Sequence, residues 1–347
     1  MHNPSHPQTR KHRCVFFGEL LMRLSPPGHE LPLQSPRMEV HFGGAEANVA
    51  TSMAILGHDC AMVSALPDNV LGRACAGELR RHGVDTTHLH YAEGRMGLYF
   101  LSPGAMHRPS EVLYDRVDSV FARTGADAYD WSRLLADAQG LHLSGINLAL
   151  GDATAQAALA AVQAAHKAGV PISFDCNFRS KLWGSRIEQA PALLSEIAAQ
   201  ADLIFGNDRD IALILGLDFP HADATDRFRA AGTAAFSAWP RLRRIAATGR
   251  HLHNVSDQAL FGLMATRDRM LQTSTHALTG IVDRIGAGDA FAAGFLHGLA
   301  RKMSDETTLD FAIAAACLKH AIPGDANLSC EADVLALMAQ GGFEVKR

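Results

Sequence analysis

Short apolar runs alternate with longer Ala- and Leu-rich helical patterns along most of this 347-residue chain. This alternation is typical of βαβ units, in which parallel strands form one sheet and helices cover its faces. The predicted strands are Cys14–Gly18, Cys60–Leu66, Leu141–Ser144, Pro171–Asp175, Leu203–Phe205 and Arg244–Ala247. The predicted helices are Ala47–Leu56, Val70–Arg81, Ala153–Lys167, Ile187–Gln200 and Thr225–Ser237, with residues 286–340 mostly helical. The sequence therefore predicts an α/β fold with a doubly wound, mostly parallel sheet.

Two segments, about 20–42 and 96–121, break this alternation. Both contain strand-like pieces with Pro, Gly and charged residues but lack a long helix. We predict that they form a small β-sheet lid beside the main sheet, with ordinary surface hairpins as the alternative. Residues 1–12 are polar and rich in His and Pro, so we expect a disordered tail ahead of one domain at 13–340.

Composition excludes several classes of protein. A hydrophobic fraction of 48% supports a large core, which argues against intrinsic disorder. The net charge of −4 and the absence of a long basic run argue against nucleic-acid or membrane-surface partners. The sequence also lacks an apolar run of about 18 residues, a signal peptide and zinc-type cysteine spacing. We therefore expect a soluble cytoplasmic protein with reduced thiols.

The strongest functional signal is the segment Gly286-Ala287-Gly288-Asp289, which runs into an apolar helical pattern. Its backbone N–H groups would lie at a helix N-terminus, where an anion such as phosphate is favoured. A carboxylate beside such a site suits a proton acceptor, although Asp289 could also be a simple helix-start residue. A dinucleotide fingerprint would need glycine at Phe291, and a P-loop would need a Gly-Lys dipeptide that this chain lacks.

Two other segments place polar groups after turns or strands. Gly43 and Gly44 precede a helix that carries Asn48, an arrangement suited to a polyhydroxylated ligand or to a plain turn and cap. Asn207 and Asp210 follow a predicted strand and offer oxygen ligands for Mg²⁺, with a solvated helix start as the alternative.

Arginines form the last signal. Arg179 follows the strand that ends at Asp175, where α/β sheets bind ligands, and could hold a carboxylate or phosphate. Tyr114 and Arg116 share one face of a predicted lid strand. The alternative for each arginine is a surface ion pair.

Together and in this order, these segments resemble the ribokinase-like (PfkB) carbohydrate kinases over nearly the whole chain. The most specific pieces are GGAEAN at residues 43–48, DRIGAGD at 283–289 and KHAIPGD at 319–325. Within the family, the 2-keto-3-deoxygluconate kinases are the most similar branch. The resemblance implies phosphorylation of that sugar acid to its 6-phosphate with ATP and Mg²⁺, and often a dimer formed through the lid. A neutral sugar, fructose- or ribose-like, is the alternative substrate, and use of a monovalent cation stays open.

The resemblance also implies roles for individual residues. Asp289 would be the catalytic base, beside an anion hole formed by Gly286, Ala287 and Gly288. The substrate would contact Gly43, Gly44, Asn48, Tyr99, Tyr114, Arg116 and Arg179. The nucleotide would contact Asn207, Thr248, Gly249 and Lys319, and Mg²⁺ would contact Asn207 and Asp210.

The chain departs from the family pattern at two places. Asp210 stands where the family usually has a glutamate, and Ala247 stands where a lysine of a Lys-x-Gly segment is usual. A sugar-sensing or scaffold protein on the same fold is a further alternative, and the presence of Asp289 argues against it.

Overall fold

The computed structural model describes residues 13–339, so the predicted tail at 1–12 lies outside the described residues. The strands are β1 Arg13–Phe17, β2 Leu21–Ser25, β3 Glu39–Gly43, β4 Cys60–Pro67, β5 Leu89–Ala92, β6 Gly97–Ser102, β7 Glu111–Asp115, β8 Ala138–Ser144, β9 Ile172–Asp175, β10 Leu203–Phe205, β11 Arg244–Leu252, β12 Gln258–Ala265, β13 Met270–Gln272 and β14 His276–Leu278. The α-helices are α1 Ala45–Ile55, α2 Val70–Arg81, α3 Val120–Arg123, α4 Trp131–Leu134, α5 Ile146–Ala149, α6 Asp152–Ala168, α7 Ser180–Trp183, α8 Ala190–Ala198, α9 Asp208–Leu215, α10 Ala224–Ala238, α11 Ala287–Ala300, α12 Asp305–Lys319 and α13 Glu331–Met338.

The main sheet has the order β13-β12-β11-β10-β9-β8-β1-β4-β5, with β14 paired to β12. Its strands are parallel from β5 to β11, and the β11–β12–β13 pairs are antiparallel. This sheet confirms the α/β prediction and all six predicted strands. The apolar pattern predicts a strand that ends at Ala247, whereas β11 continues to Leu252 and forms a hairpin with β12. The hairpin was missed because polar residues at 251–257 interrupt the apolar pattern.

Two apolar cores, one on each face of this sheet, hold the helices. Buried alanines on α6, such as Ala158 and Ala161, belong to one core. Phe291 and Phe295 on α11 belong to the other and pack one turn apart. Because both faces of the sheet are covered, β4 is buried along its whole length. No helix among residues 13–339 is both long enough and apolar enough to cross a bilayer.

A second sheet of four strands has the order β3-β2-β6-β7 and confirms the predicted small sheet. The register pairs Tyr99 with both Arg23 on β2 and Tyr114 on β7, so these three side chains share one face. This inner face lies toward the main domain, and we call the second sheet the lid.

A buried charge network joins the lid to the main domain. Arg23 on β2 lies 2.7 Å from Asp283 and 3.0 Å from Asp325, and all three side chains are at most 7% exposed. The Tyr99 hydroxyl on β6 donates to the same Asp325 carboxylate. Asp283 precedes α11 and Asp325 follows α12, so the network fixes two lid strands to two loops of the main domain.

Replacement of Arg23 by methionine should strongly destabilise the fold. The change leaves Asp283 and Asp325 buried without their guanidinium partner, which typically costs about 3–5 kcal/mol. Urea unfolding of both proteins measures this loss. Arg37→Met is the matched control, because Arg37 is 72% exposed and its 3.5 Å pair with Glu30 should contribute at most about 1 kcal/mol. Equal losses in the two variants would contradict the role of the network.

Candidate active site

A cavity of about 480 Å³ separates the inner face of the lid from the main sheet. It lies at the carboxyl ends of β9, β10 and β11, and the first turn of α11 forms another wall. In open α/β sheets this edge is where ligands bind.

The anion-binding geometry predicted at Gly286 is present. Gly286 has a left-handed backbone with φ +78°, and a Cβ there would lie 1.7 Å from the carbonyl oxygen of Asp325. Only glycine fits this turn, which brings the backbone of the 319–325 loop against the start of α11. No side chain caps that helix start. The Ala287 N–H donates a long hydrogen bond of 3.4 Å to the carbonyl oxygen of Arg284, and the Gly288 N–H has no intrahelical acceptor. Gly286, Ala287 and Gly288 all line the cavity and present the positive end of the helix dipole to it.

Asp289 lines the same cavity, and Asn48 on α1 donates a 2.7 Å hydrogen bond to its carboxylate. Burial raises the pKa of Asp289 to about 7, with a further rise from the negative charges of Glu46 and Asp325. The hydrogen bond from Asn48 and the positive charge of Arg179 oppose this rise. A carboxylate that titrates near neutrality is well matched to accept a proton from a ligand.

Other buried carboxylates surround Asp289. Burial and the charge of Asp289 raise the pKa of Asp175 to about 7. Burial also raises the pKa of Glu46 to about 7, and Asn147 donates a 3.1 Å hydrogen bond to it. Glu46 lies behind the cavity wall, whereas Asp175 and Asp289 line the cavity, so this half is acidic and favours a cation or a proton donor.

Six predicted substrate residues line the cavity: Gly44, Asn48, Tyr99, Tyr114, Arg116 and Arg179. The two arginines differ in their surroundings. Arg116 is 5% exposed, and its Nε donates a 2.7 Å hydrogen bond to Glu19, so a protein carboxylate already compensates its charge. Arg179 is exposed and has no ion pair with another described residue. Of this predicted pair, Arg179 is thus the cation available to a ligand.

Three predicted residues do not line this cavity. Gly43 packs against Asp325, and Gly249 packs against the ring of Phe261. Lys319 is fully buried, and its ammonium group donates a 2.8 Å hydrogen bond to the carbonyl oxygen of Ile322. Lys319 thus closes the 319–325 loop and does not line the cavity, so its predicted contact with a nucleotide is not among the contacts observed here.

Asn207, Asp210 and Thr248 line the cavity as predicted for a nucleotide or metal site. Asn207 and Asp210 also form a capping box, in which each side chain accepts a hydrogen bond from the other's backbone N–H. Their observed contacts are those of a helix start. The described residues contain no cluster of three His, Cys, Asp or Glu side chains arranged for a metal ion.

Four charged residues of the cavity have no role predicted from the sequence: Asp175, Arg250, Arg284 and Asp325. Arg284 and Asp325 lie inside the quoted motifs at 283–289 and 319–325, and Asp175 ends a predicted strand. What the motifs did not show was the direction of each side chain, which depends on tertiary packing.

Asp289→Asn should stabilise the fold at high pH. The pKa of Asp289 is raised from about 4 in the unfolded chain to about 7. Folding therefore favours the protonated form, and the wild type loses stability as the pH rises from about 4 to 7. The asparagine variant avoids this loss, so its melting temperature should exceed the wild-type value at pH 8 and approach it near pH 4. Asp268→Asn, at an exposed turn, should show no such trend. A pH-independent difference for Asp289→Asn would contradict the raised pKa.

Comparison with known proteins agrees with this geometry. The model of the pfkB family carbohydrate kinases matches residues 11–236 and 265–330. The chain is 33% identical to a 2-dehydro-3-deoxygalactonokinase of Haloferax volcanii, over 96% of this chain and 98% of the relative. It is 29% identical to Fructokinase-1 of Oryza sativa subsp. japonica, over 95% and 98% of the two chains.

The crystal structure of 2-dehydro-3-deoxygluconokinase from Thermotoga maritima superposes with a TM-score of 0.90 at 33% identity. The match covers 94% of this chain and 99% of that one. The extent of these matches shows that this chain belongs to the PfkB family of carbohydrate kinases.

Proposed function

We propose that this protein is an ATP-dependent kinase that phosphorylates the terminal hydroxyl of 2-keto-3-deoxygluconate to give the 6-phosphate. The observation that carries the proposal is the juxtaposition of Asp289 with the backbone N–H groups at the start of α11, which no side chain caps, in one cavity. Relatives named for 2-keto-3-deoxy sugar acids support the choice of substrate. The free cysteines and the use of ATP are consistent with the cytoplasm as the site of this activity.

In the proposed reaction the protein accepts a proton and stabilises developing negative charge. Asp289 accepts the proton of the sugar hydroxyl as that oxygen bonds to the γ-phosphorus and the bond to the ADP oxygen breaks. The N–H groups of the Gly286–Gly288 turn hydrogen-bond the phosphoryl oxygens, where negative charge develops. Phosphoryl transfer requires mainly such positioning and charge stabilisation.

Mg²⁺ fits the donor set of the cavity. Asp210, Asp175 and Asn207 all line it and carry the oxygen ligands that this ion prefers. A bound Mg²⁺ would neutralise phosphate charge. Burial raises the pKa of Asp210, so a cation there would also favour its charged form.

The choice between an acid and a neutral sugar depends on Arg179. Its guanidinium lines the cavity without an ion pair among residues 13–339, which favours a substrate carboxylate. Arg116 is paired with Glu19, so it offers no second unpaired positive charge to a substrate carboxylate. A neutral sugar is therefore the second candidate substrate. The similarity to a fructokinase supports the same alternative.

An ADP-release assay with Mg-ATP tests the proposed function. The panel is 2-keto-3-deoxygluconate, its galactonate epimer, fructose and ribose. We expect turnover of the keto-deoxy acids. Loss of the ionic contact in Arg179→Ala should raise the KM for the acid by about 10–100-fold. The KM for fructose, where measurable, should change little. Asp289→Asn is the inactive control and should retain well below a tenth of wild-type turnover.

Each contrary outcome has a distinct meaning. Turnover of fructose or ribose alone would keep the kinase and overturn the acid substrate. Equal effects of Arg179→Ala on both substrate classes would contradict the role of Arg179. An Asp289→Asn enzyme with more than a tenth of wild-type turnover would overturn the base assignment, and no turnover of any sugar would overturn the proposed function.

We also propose that two copies dimerise through the outer face of the lid. The register places Leu24, Val40, Phe100 and Leu113 together on that face, opposite Tyr99. Val40 is 52% exposed and Leu113 is 65% exposed. A contiguous apolar sheet face of this kind is typical of a protein–protein interface.

Leu113→Glu should therefore convert the dimer to a monomer, because it would bury two carboxylates in the apolar contact. Light scattering after size-exclusion chromatography measures the mass. Leu217→Glu is the control, since Leu217 is 49% exposed and lies outside the lid. A monomeric wild type, or a dimer that survives Leu113→Glu, would contradict this interface.

A further inference from the structure

Besides Arg179, two arginines line the cavity without a carboxylate partner among residues 13–339. Arg250 lies near the end of β11, and Arg284 lies in the loop before α11. Neither has a hydrogen bond or an ion pair with a carboxylate among residues 13–339. Buried arginines elsewhere are paired, as Arg23 is with Asp283.

Their position is electrostatically unfavourable in the protein alone. Burial lowers the pKa of Arg250 to about 10, and the positive charge of Arg284 contributes to this decrease. Burial also lowers the pKa of Arg284. Both arginines are half-buried, and two partly desolvated like charges without a counterion reduce stability. A bound anion would remove this cost, so the pair is suited to a ligand with high negative charge.

Arg250 and Arg284 lie where two cavities meet. Besides the main cavity, Arg250 and Arg284 line a second cavity of about 510 Å³ under the same lid face. Ile285 is shared by both cavities as well. An anion held here could therefore extend from the start of α11 into the second space, which suits a chain of phosphates more than one carboxylate.

The strand itself offers no other cation at this place. Ala246, Ala247 and Thr248 precede Arg250 along β11 and line the main cavity. Their side chains contribute methyl groups and one hydroxyl. Any charged contact from this strand to a phosphate in the cavity must therefore come from Arg250.

We propose that Arg250 and Arg284 together bind the polyphosphate of the nucleotide. This assignment rests on the proposed use of ATP. It gives the unpaired arginines of the cavity two different ligands, the nucleotide and the sugar acid. Arg250 and Arg284 hold phosphate oxygens, for which the guanidinium fork is well matched, and Arg179 remains for the sugar acid.

Binding of MgADP in the absence of sugar tests the pair directly. Isothermal titration calorimetry is performed on the wild type and on Arg250→Met, Arg284→Met and the double variant. We expect each single change to weaken MgADP binding by about 10–100-fold, because a charge-assisted hydrogen bond is lost. Arg250→Lys should recover part of the affinity. Arg243→Met is the control, because Arg243 lies just before the first residue of β11, is 75% exposed and does not line the cavity. It should bind MgADP as the wild type does.

Steady-state kinetics separate the two ligands. The KM for ATP should rise in both single variants, while the KM for the sugar changes by less than about threefold. Melting curves without ligand provide a second readout, because removal of an unpaired buried charge should raise the melting temperature. The ligand-free variants are therefore expected to be folded and at least as stable as the wild type.

Several results would overturn the inference. A rise in the sugar KM with an unchanged ATP KM would assign the pair to the substrate acid. MgADP affinities equal to that of Arg243→Met, or variants that do not fold, would show that the pair has a structural role. If the wild type binds MgADP but phosphorylates none of the four sugars, the proposed substrate is wrong. The role of Arg250 and Arg284 is then still decided by the MgADP affinities of the variants. A wild type that binds no nucleotide would overturn both.

Discussion

The Asp325 side chain accepts hydrogen bonds from Arg23 and Tyr99 of the lid, while its backbone carbonyl lies against Gly286. One residue thus fixes the position of the lid and the shape of the anion-binding turn. Lys319 closes the same loop from within the fold. Because buried charges are stable only with partners, the geometry of the active site and the stability of the lid depend on one network.

The cavity gathers charges that the protein alone does not neutralise, and it separates them by sign. Asp175 and Asp289 form an acidic side, where burial raises each pKa to about 7. Arg250 and Arg284 form a basic side without carboxylate partners. Such an arrangement reduces the stability of the ligand-free protein. A proton or a cation would neutralise the acidic side, and a phosphate would neutralise the basic side. The site is therefore built for ligands whose charges complement both sides.

Local patterns predicted most of the fold, because each buried strand carries its own apolar run and each helix its own period. The β11–β12 hairpin was missed where polar residues interrupt that pattern. The glycine turn at Gly286 was readable, since positive φ and close approach require glycine whatever the neighbours are. The pairing of Arg116 with Glu19 and the burial of Lys319 were not, because contacts 97 residues apart or within a core depend on tertiary packing.

If Arg116 and Arg179 contact the substrate as proposed, their unequal surroundings limit how strongly the enzyme can reject a neutral sugar. A polar group sealed from water would exclude a ligand that leaves it unpaired by about 10⁴-fold or more. Arg179 is exposed, so water can solvate it when no carboxylate is bound, and Arg116 is already paired with Glu19. Selectivity for an acid then comes from the attraction of one accessible cation, at about 10–100-fold. A modest preference of this size is compatible with a chain that resembles both sugar-acid kinases and a fructokinase.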